Sequence, residues 1–237
     1  QIANNNKKNH IKMAEQKNHN NELNVEDALT QSEAFLIKNK KAIIGGVVAV
    51  IIIVAGVIMY KHLYAEPREE KAQAALFKGQ ELFEQDNFTQ ALNGDSIGYK
   101  GFLKVADEFS GTAAGNLANA YAGVCYAQLG KYEEAVKYLN KFSADDQLVS
   151  PALLGTMGNC YAQAGQLDKA AATLMKAADK ADSQALSPIY LIQAGQIYEK
   201  LGKNSEAVNA YTLIKNKYFN SYQSMDIDKY IERASIK

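Results

Sequence analysis

Apolar side chains follow three different patterns along this chain, and the changes of pattern divide it. Residues 1–24 hold few of them; Asn, Lys, Gln and His dominate. Such a stretch buries too little surface to offset the entropy of ordering it, which predicts a disordered polar tail. Residues 25–41 place Val25, Ala28, Leu29, Ser32, Phe35 and Leu36 on one helical face, behind Asn24 as N-cap and Glu26 and Asp27 in the first turn. A short amphipathic helix is expected there, either lying in a membrane interface or extending the helix that follows. Residues 42–60, AIIGGVVAVIIIVAGVIMY, are apolar without interruption. As a helix they span about 28 Å, close to the hydrocarbon thickness of a bilayer. Their β-branched content suggests a strand in water, but lipid requires every backbone group to be bonded within the segment, which selects helix. The alternatives are a buried core helix and a cleaved signal. A signal core is shorter and nearer the N-terminus, and Leu63-Tyr64-Ala65 is a poor cleavage site. A single retained transmembrane helix is therefore expected. Gly45, Gly46 and Gly56 are not spaced as a G-x-x-x-G pair.

From residue 65 the pattern is helical throughout, with almost no strand signal, so the fold class is all-α. Pro67 followed by Glu69 and Glu70 predicts a helix start. Three stretches then repeat. Gly123, Tyr126, Gly130 and Ala135 are matched by Gly158, Tyr161, Gly165 and Ala170, and by Gly195, Tyr198, Gly202 and Ala207. Leu139, Leu174 and Tyr211 each fall four residues after the alanine. The physical reading is a helix pair. Gly123, Gly158 and Gly195 let the second helix approach the first, the tyrosines fill the space beside them, and the later glycines end the first helix in a left-handed cap. Ser150-Pro151 and Ser187-Pro188 read as N-cap hydroxyls followed by a proline that needs no donor. A degenerate copy uses Gly79, Leu82, Asp86, Phe88 and Ala91, with an insert expected at 93–98 and a displaced second helix around 99–109. Thr112 is the expected cap of the next helix, Ser221 repeats that device, and a last helix around 223–234 covers the open end.

This organisation predicts a polar tail at 1–24, a juxtamembrane helix at 25–41, the anchor at 42–60, and a degenerate first repeat with its insert at 65–112. Repeats at 113–149, 150–186 and 187–221 and a capping helix at 222–237 follow. The first residue is Gln, and Met13-Ala14-Glu15 reads as an ordinary start, so the native chain is expected to begin at Met13. Lys38, Lys40 and Lys41 precede the anchor and Lys61 alone follows it closely. That near-end asymmetry favours a cytoplasmic N-terminus, although over about twenty residues on each side the bias disappears.

Composition removes several functions. The whole chain is balanced at 26 basic and 26 acidic residues. From Ala65 onward 18 Lys and Arg stand against 21 Asp and Glu, a net of −3 that gives nucleic acid no foothold. All three histidines, His10, His19 and His62, precede that region. The commonest general base and metal ligand are thus missing from the globular part, and no cofactor or small-molecule substrate is expected. Cys125 and Cys160 are the only cysteines. They hold equivalent places on successive first helices, which pack roughly 8–10 Å apart, beyond the roughly 7 Å limit for a disulfide. They read as small buried apolar residues. Asp145-Asp146, Glu133-Glu134 and Asp226 with Asp228 read as caps and solvated faces.

The repeat offsets resemble the tetratricopeptide repeat, a unit of about 34 residues made of two antiparallel helices. Together with Glu26-Asp27-Ala28-Leu29, Phe35-Leu36 and Asn39-Lys40-Lys41-Ala42 running into the anchor, the layout resembles the YfgM-like ancillary subunits of the SecYEG translocon. The insert and the extra final helix depart from that pattern. The resemblance implies an all-α solenoid behind one membrane helix. It implies a non-enzymatic scaffold in the bacterial inner membrane, with a cytoplasmic N-terminus and periplasmic repeats. The implied partners are translocon subunits, periplasmic chaperones or exported chains. The other reading is a cell-envelope assembly protein acting by self-association. In such repeats the concave wall is formed by fixed positions of the first helices. Here these are Leu117, Ala120, Val124, Ala127 and Gln128; Ala152, Gly155, Asn159, Ala162 and Gln163; and Ile189, Ile192, Gln196, Glu199 and Lys200. The candidate partner groove is Val124, Gln128, Asn159, Gln163, Ile192, Gln196 and Lys200. It lacks the several basic residues that a carboxylate clamp requires.

Overall fold

Runs of Ala, Leu and other good helix formers, broken by single left-handed residues, produce helix after helix, with no strand among the described residues. The computed structural model describes residues 33–96 and 98–236. The tail at 1–24, Met13, residues 25–32 of the juxtamembrane segment, Ile97 and Lys237 lie outside the described residues. The chain divides into two units, Gln1–His62 and Leu63–Lys237.

In the first unit, residues 33–38 are helical and helix α1 covers Lys40–Tyr60. Backbone bonds run from Asn39 N to Phe35 O and from Ile43 N to Asn39 O, so the two helical stretches share one bonding ladder across Asn39. No α1 side chain is buried. Among the described residues this is the one helix long and apolar enough to cross a membrane. A π-type turn, Lys61–Ala65, follows, and then α2, Glu66–Glu84. As the sequence suggested, Pro67 stands in the first turn of α2 with Glu69 beside it, although the backbone is already helical before it. The widened turn sits where an α-helical carbonyl four residues back would meet the proline ring.

In the second unit the helices pair in chain order. The first pair is α2 with α3 (Phe88–Asn93) and α4 (Phe102–Glu108). The next three are α5 (Ala113–Gln128) with α6 (Tyr132–Leu139), α7 (Val149–Gln163) with α8 (Leu167–Ala181), and α9 (Ser187–Lys200) with α10 (Asn204–Lys217). A 3-10 turn at Tyr222–Asp226 leads into α11, Ile227–Ser235. The glycine notches admit the second helix, and its own side chains fill them. A Cβ at Gly123 would lie 2.6 Å from Leu139 Cγ, at Gly158 2.7 Å from Leu174 Cγ, and at Gly195 2.3 Å from Tyr211 Cε1. Tyr126, Tyr161 and Tyr198, expected to fill that space, are only half-buried. They lie three residues nearer the end of their helices, beyond the point of closest crossing.

The left-handed caps recur at Gly130 (φ 72°), Gly165 (φ 74°) and Gly202 (φ 70°), and in the degenerate copy Asp86 takes the same conformation at φ 58°. That copy has a split second helix, not one displaced to 99–109. Helix α3 holds the regular place, and α4 follows a loop closed where Gly101 approaches Leu92 O. Tyr99 and Phe102 then serve in the Gly79 notch as Leu139 serves at Gly123. Tyr99 Oη donates to Ala91 O at 2.9 Å, and Asp95 accepts from Tyr99 N at 2.8 Å.

Caps are partly local and partly distant. Thr112 Oγ1 accepts from Gly115 N at 2.9 Å, as a local cap should. Glu69, forty-odd residues earlier, also accepts from Ala113 N (2.7 Å) and Ala114 N (3.0 Å), while Arg68 Nη2 donates to Glu108 O at 2.9 Å. The Ser-Pro serines do not cap their helices. Ser150 Oγ donates to Asp146 (2.6 Å), and Asp146 itself caps α7 by accepting from Leu148, Val149 and Ser150 N. Ser187 Oγ donates back to Ala178 O at 2.7 Å. Ser221 makes no cap either; its hydroxyl is buried without a partner among the described residues. Buried side chains collect in two clusters, one around Leu92, Phe102 and Val105, the other around Leu191, Tyr211 and Ile214.

Candidate functional site

The first helices α5, α7 and α9 carry the predicted groove residues. Val124 and Gln128 lie on α5, Asn159 and Gln163 on α7, and Ile192, Gln196 and Lys200 on α9. Helix α9 reaches α7 through Tyr190, whose ring lies where a Cβ on Gly155 would stand, at 2.5 Å. Gln128, Asn159, Gln163, Gln196 and Lys200 are exposed, and Val124 and Ile192 are half-buried. No hydrogen bond joins the four amides to any other described residue. Other amides in the second unit are engaged: Gln80 with Tyr121 Oη (3.0 Å), Asn116 with Ser143 O (2.8 Å), and Gln184 with Lys217 O (3.0 Å). A row of unengaged amides offers both donors and acceptors to an incoming backbone.

Part of the expected wall is closed. Ala120 and Gly155 are buried. Glu199 is not an open acid. Its side chain is 8% exposed and accepts from Arg233 Nη2 (2.6 Å), Arg233 Nε (3.0 Å) and Tyr211 Oη (2.7 Å). Burial first, and this carboxylate second, raise the Tyr211 phenol above its ordinary range. Sequence reasoning missed the fork, because Arg233 lies on the final helix, 34 residues from Glu199. The usable signal was the lone Arg in a helix that caps the solenoid end.

The remaining candidates carry structural roles. Cys125 and Cys160 are free and buried, and burial pushes the Cys125 thiol up to about 12 and raises the Cys160 thiol. Asp145 pairs with Lys180 at 2.6 Å, and Asp228 with Lys215 at 2.8 Å. Among the described residues no three His, Cys, Asp or Glu side chains gather as a metal site would require.

A family model described as a tetratricopeptide repeat-like domain matches residues 33–225. No curated protein matches the chain. The matched span takes in both the apolar helix α1 and the paired helices as far as the final 3-10 turn. Such domains are protein-interaction modules and typically non-enzymatic, and they bind protein partners. The helix pairs, their notches and their left-handed caps agree with that match, and the chain belongs to the tetratricopeptide repeat-like domain family.

Proposed function

We infer that this protein is a membrane-anchored, non-enzymatic scaffold, an accessory of the protein-export translocon that links it to periplasmic chaperones. Helix α1 anchors it in a bacterial inner membrane, with the N-terminus cytoplasmic and the repeats periplasmic. The family match supports treating anchor and repeats as one device, since it begins before α1. The observation that carries the binding role is the set of unengaged amides, Gln128, Asn159, Gln163 and Gln196, on three successive first helices. An extended segment held there would use backbone hydrogen bonds and apolar contact with Val124 and Ile192. Its capture should therefore change little with salt, because few exposed ion pairs are involved. Pull-down from detergent-solubilised membranes tests this. Asn159→Arg, with a native circular dichroism spectrum, is expected to lose translocon and chaperone bands; full capture would remove the groove as the main site. For topology, protease added outside spheroplasts is expected to degrade the repeats, and their survival would reverse the orientation.

The second reading is assembly by self-association. It is favoured by Phe219, Tyr222 and Met225, which are 62%, 80% and 77% exposed at the solenoid end, where a polar cap is the rule. Crosslinking in native membranes separates the two: bands with translocon subunits support the first, and bands between copies alone support the second.

A further inference from the structure

Three clefts lie between successive second helices. The second, about 190 Å³, has Lys180 on its rim. Asp145, from the loop after the preceding second helix, meets that ammonium at 2.6 Å. The third, about 360 Å³, has Lys217 on its rim. Asp182, again from the preceding loop, meets it at 2.8 Å. Acid and lysine are 35 residues apart in both, so this is a rung repeated once per helix pair.

The first cleft, about 470 Å³, is lined by Lys104 and Asp107 of α4, Ser110, Asn119 of α5, and Tyr138 and Lys141 at the end of α6. The register that sets Gly123 against Gly158 and Cys125 against Cys160, 35 residues, sets Ser110 against Asp145, so the place of the rung acid is taken by a hydroxyl; Lys141 stands four residues before the place of the rung lysine. Lys141 makes no ion pair among the described residues; its ammonium sits 4.5 Å from the centroid of the Tyr138 ring. Lys104 has none either. Two ammoniums thus face one carboxylate, Asp107, since the neighbouring Glu108 is held by Lys100 at 2.8 Å.

We propose that the first cleft docks an acidic segment of a protein partner, an Asp or Glu carboxylate entering where Asp145 and Asp182 stand in the next two clefts. The Tyr138 ring and the alkyl stem of Lys104 would flank it, and Asn119, whose Nδ2 already donates to Gly115 O at 3.1 Å, would offer its second N–H. This surface lies mainly on α4 and the end of α6, with Asn119 of α5, and shares no residue with the amide groove.

The test uses the full chain in uncharged detergent and fluorescence anisotropy with a labelled peptide of alternating Glu and Leu, beside its Gln counterpart. The Glu peptide is expected to bind and the Gln peptide not to, with binding lost at about 1 M salt, where screening reaches about 3 Å. Lys141→Gln with Lys104→Gln should weaken binding by about tenfold or more, the equivalent of about 1.4 kcal/mol. Ser110→Asp, at an exposed turn, should supply the missing acid and block the peptide to a similar degree. Asn159→Arg should leave this binding unchanged, which keeps its outcome separate from that of the groove. Equal binding of the Gln peptide would overturn the proposal. So would undiminished binding in both the lysine pair variant and Ser110→Asp, or capture by anionic lipid vesicles with none by the Glu peptide.

Discussion

At the scale of single residues, volume at the helix crossings is the strongest constraint. Ala135 and Ala170 are fully buried where each second helix meets its first. Ala170→Leu adds a branched side chain to a filled crossing and is expected to cost roughly 1–3 kcal/mol by chemical denaturation. Wild-type stability would mean that the crossing lies elsewhere. Asp146 gives a pH-dependent counterpart. Its carboxyl is held down at about 2, mainly by the Ser150 hydroxyl, with backbone N–H bonds adding to this and desolvation opposing it. A lowered folded-state value means that the contribution is complete above the ordinary carboxylate range of about 4 and fades as pH falls toward 2. Asp146→Asn should therefore be less stable at neutral pH and lose less stability than the wild type between about pH 4 and 2, a comparison that denaturation midpoints at both pH values can check. Residues of the first kind were legible in the sequence, because a steric requirement at fixed spacing leaves few residue types. Ser150 and Ser187 were misread because a serine before proline suits both a local cap and a backward bond, and only the tertiary fold decides between them.

Among elements, the split helix of the first pair has a geometric cause. With an insert before it, the chain must return Tyr99 and Phe102 to the Gly79 notch, and the loop between Gly94 and Gly101 does so in a tight return. Gly101 has φ 84°, and a Cβ there would lie 2.4 Å from Leu92 O. Gly101→Ala is expected to cost about 2 kcal/mol or more, because φ 84° with ψ 152° is a conformation that glycine almost alone adopts, at about 1–3 kcal/mol for other residues, and because of the clash. Hydrogen exchange should show the loss as faster exchange in α3 and α4, with α8 to α10 unchanged; a uniform change would contradict a local device. The insert could be placed from the length between Asp86 and Gly130, but not its path, since a path is set by what it packs against. The same limit hid the Glu69 cap on α5. An acid in the first turn of a helix looks complete by itself, and nothing local announces a second N-terminus beside it.

In the second unit as a whole, the last helix is tied to α9 at Glu199, a residue of the expected groove wall. Arg233→Ala removes a two-point fork and leaves Glu199 with Tyr211 as the partner described for it. The cost is expected to be about 1.5–3 kcal/mol, the range for hydrogen bonds to charged groups. It should stay toward the lower end, because the Arg233 side chain is 48% exposed. Protection of Ile227–Ser235 from exchange should fall with it; retained protection would show that apolar packing of Ile227 and Ala234 suffices. The solenoid and its direction were readable from repetition. The closing of the wall at Glu199 was not, because the position that faces a groove in one repeat faces a cap in the last.

The cap that Glu69 places on α5 has a mechanical consequence. A helix end held only by its neighbours in sequence can be peeled, one bond at a time, by a pull along the chain. Here the first turn of α2 is stitched to α5 by Glu69 and to α4 by Arg68, so tension entering at Leu63 meets several bonds in shear together. The Arg233 fork does the same for tension entering at the C-terminal end. Drawn from both ends, the repeats should resist unzipping and yield in the interior. In single-molecule pulling, Glu69→Gln or Arg233→Gln should lower the first rupture force and move the first rupture to the weakened end. Rupture from an end in the unaltered protein would show that these stitches carry no force. A domain fastened by such ends can pass a tug from one end to the other without first coming undone.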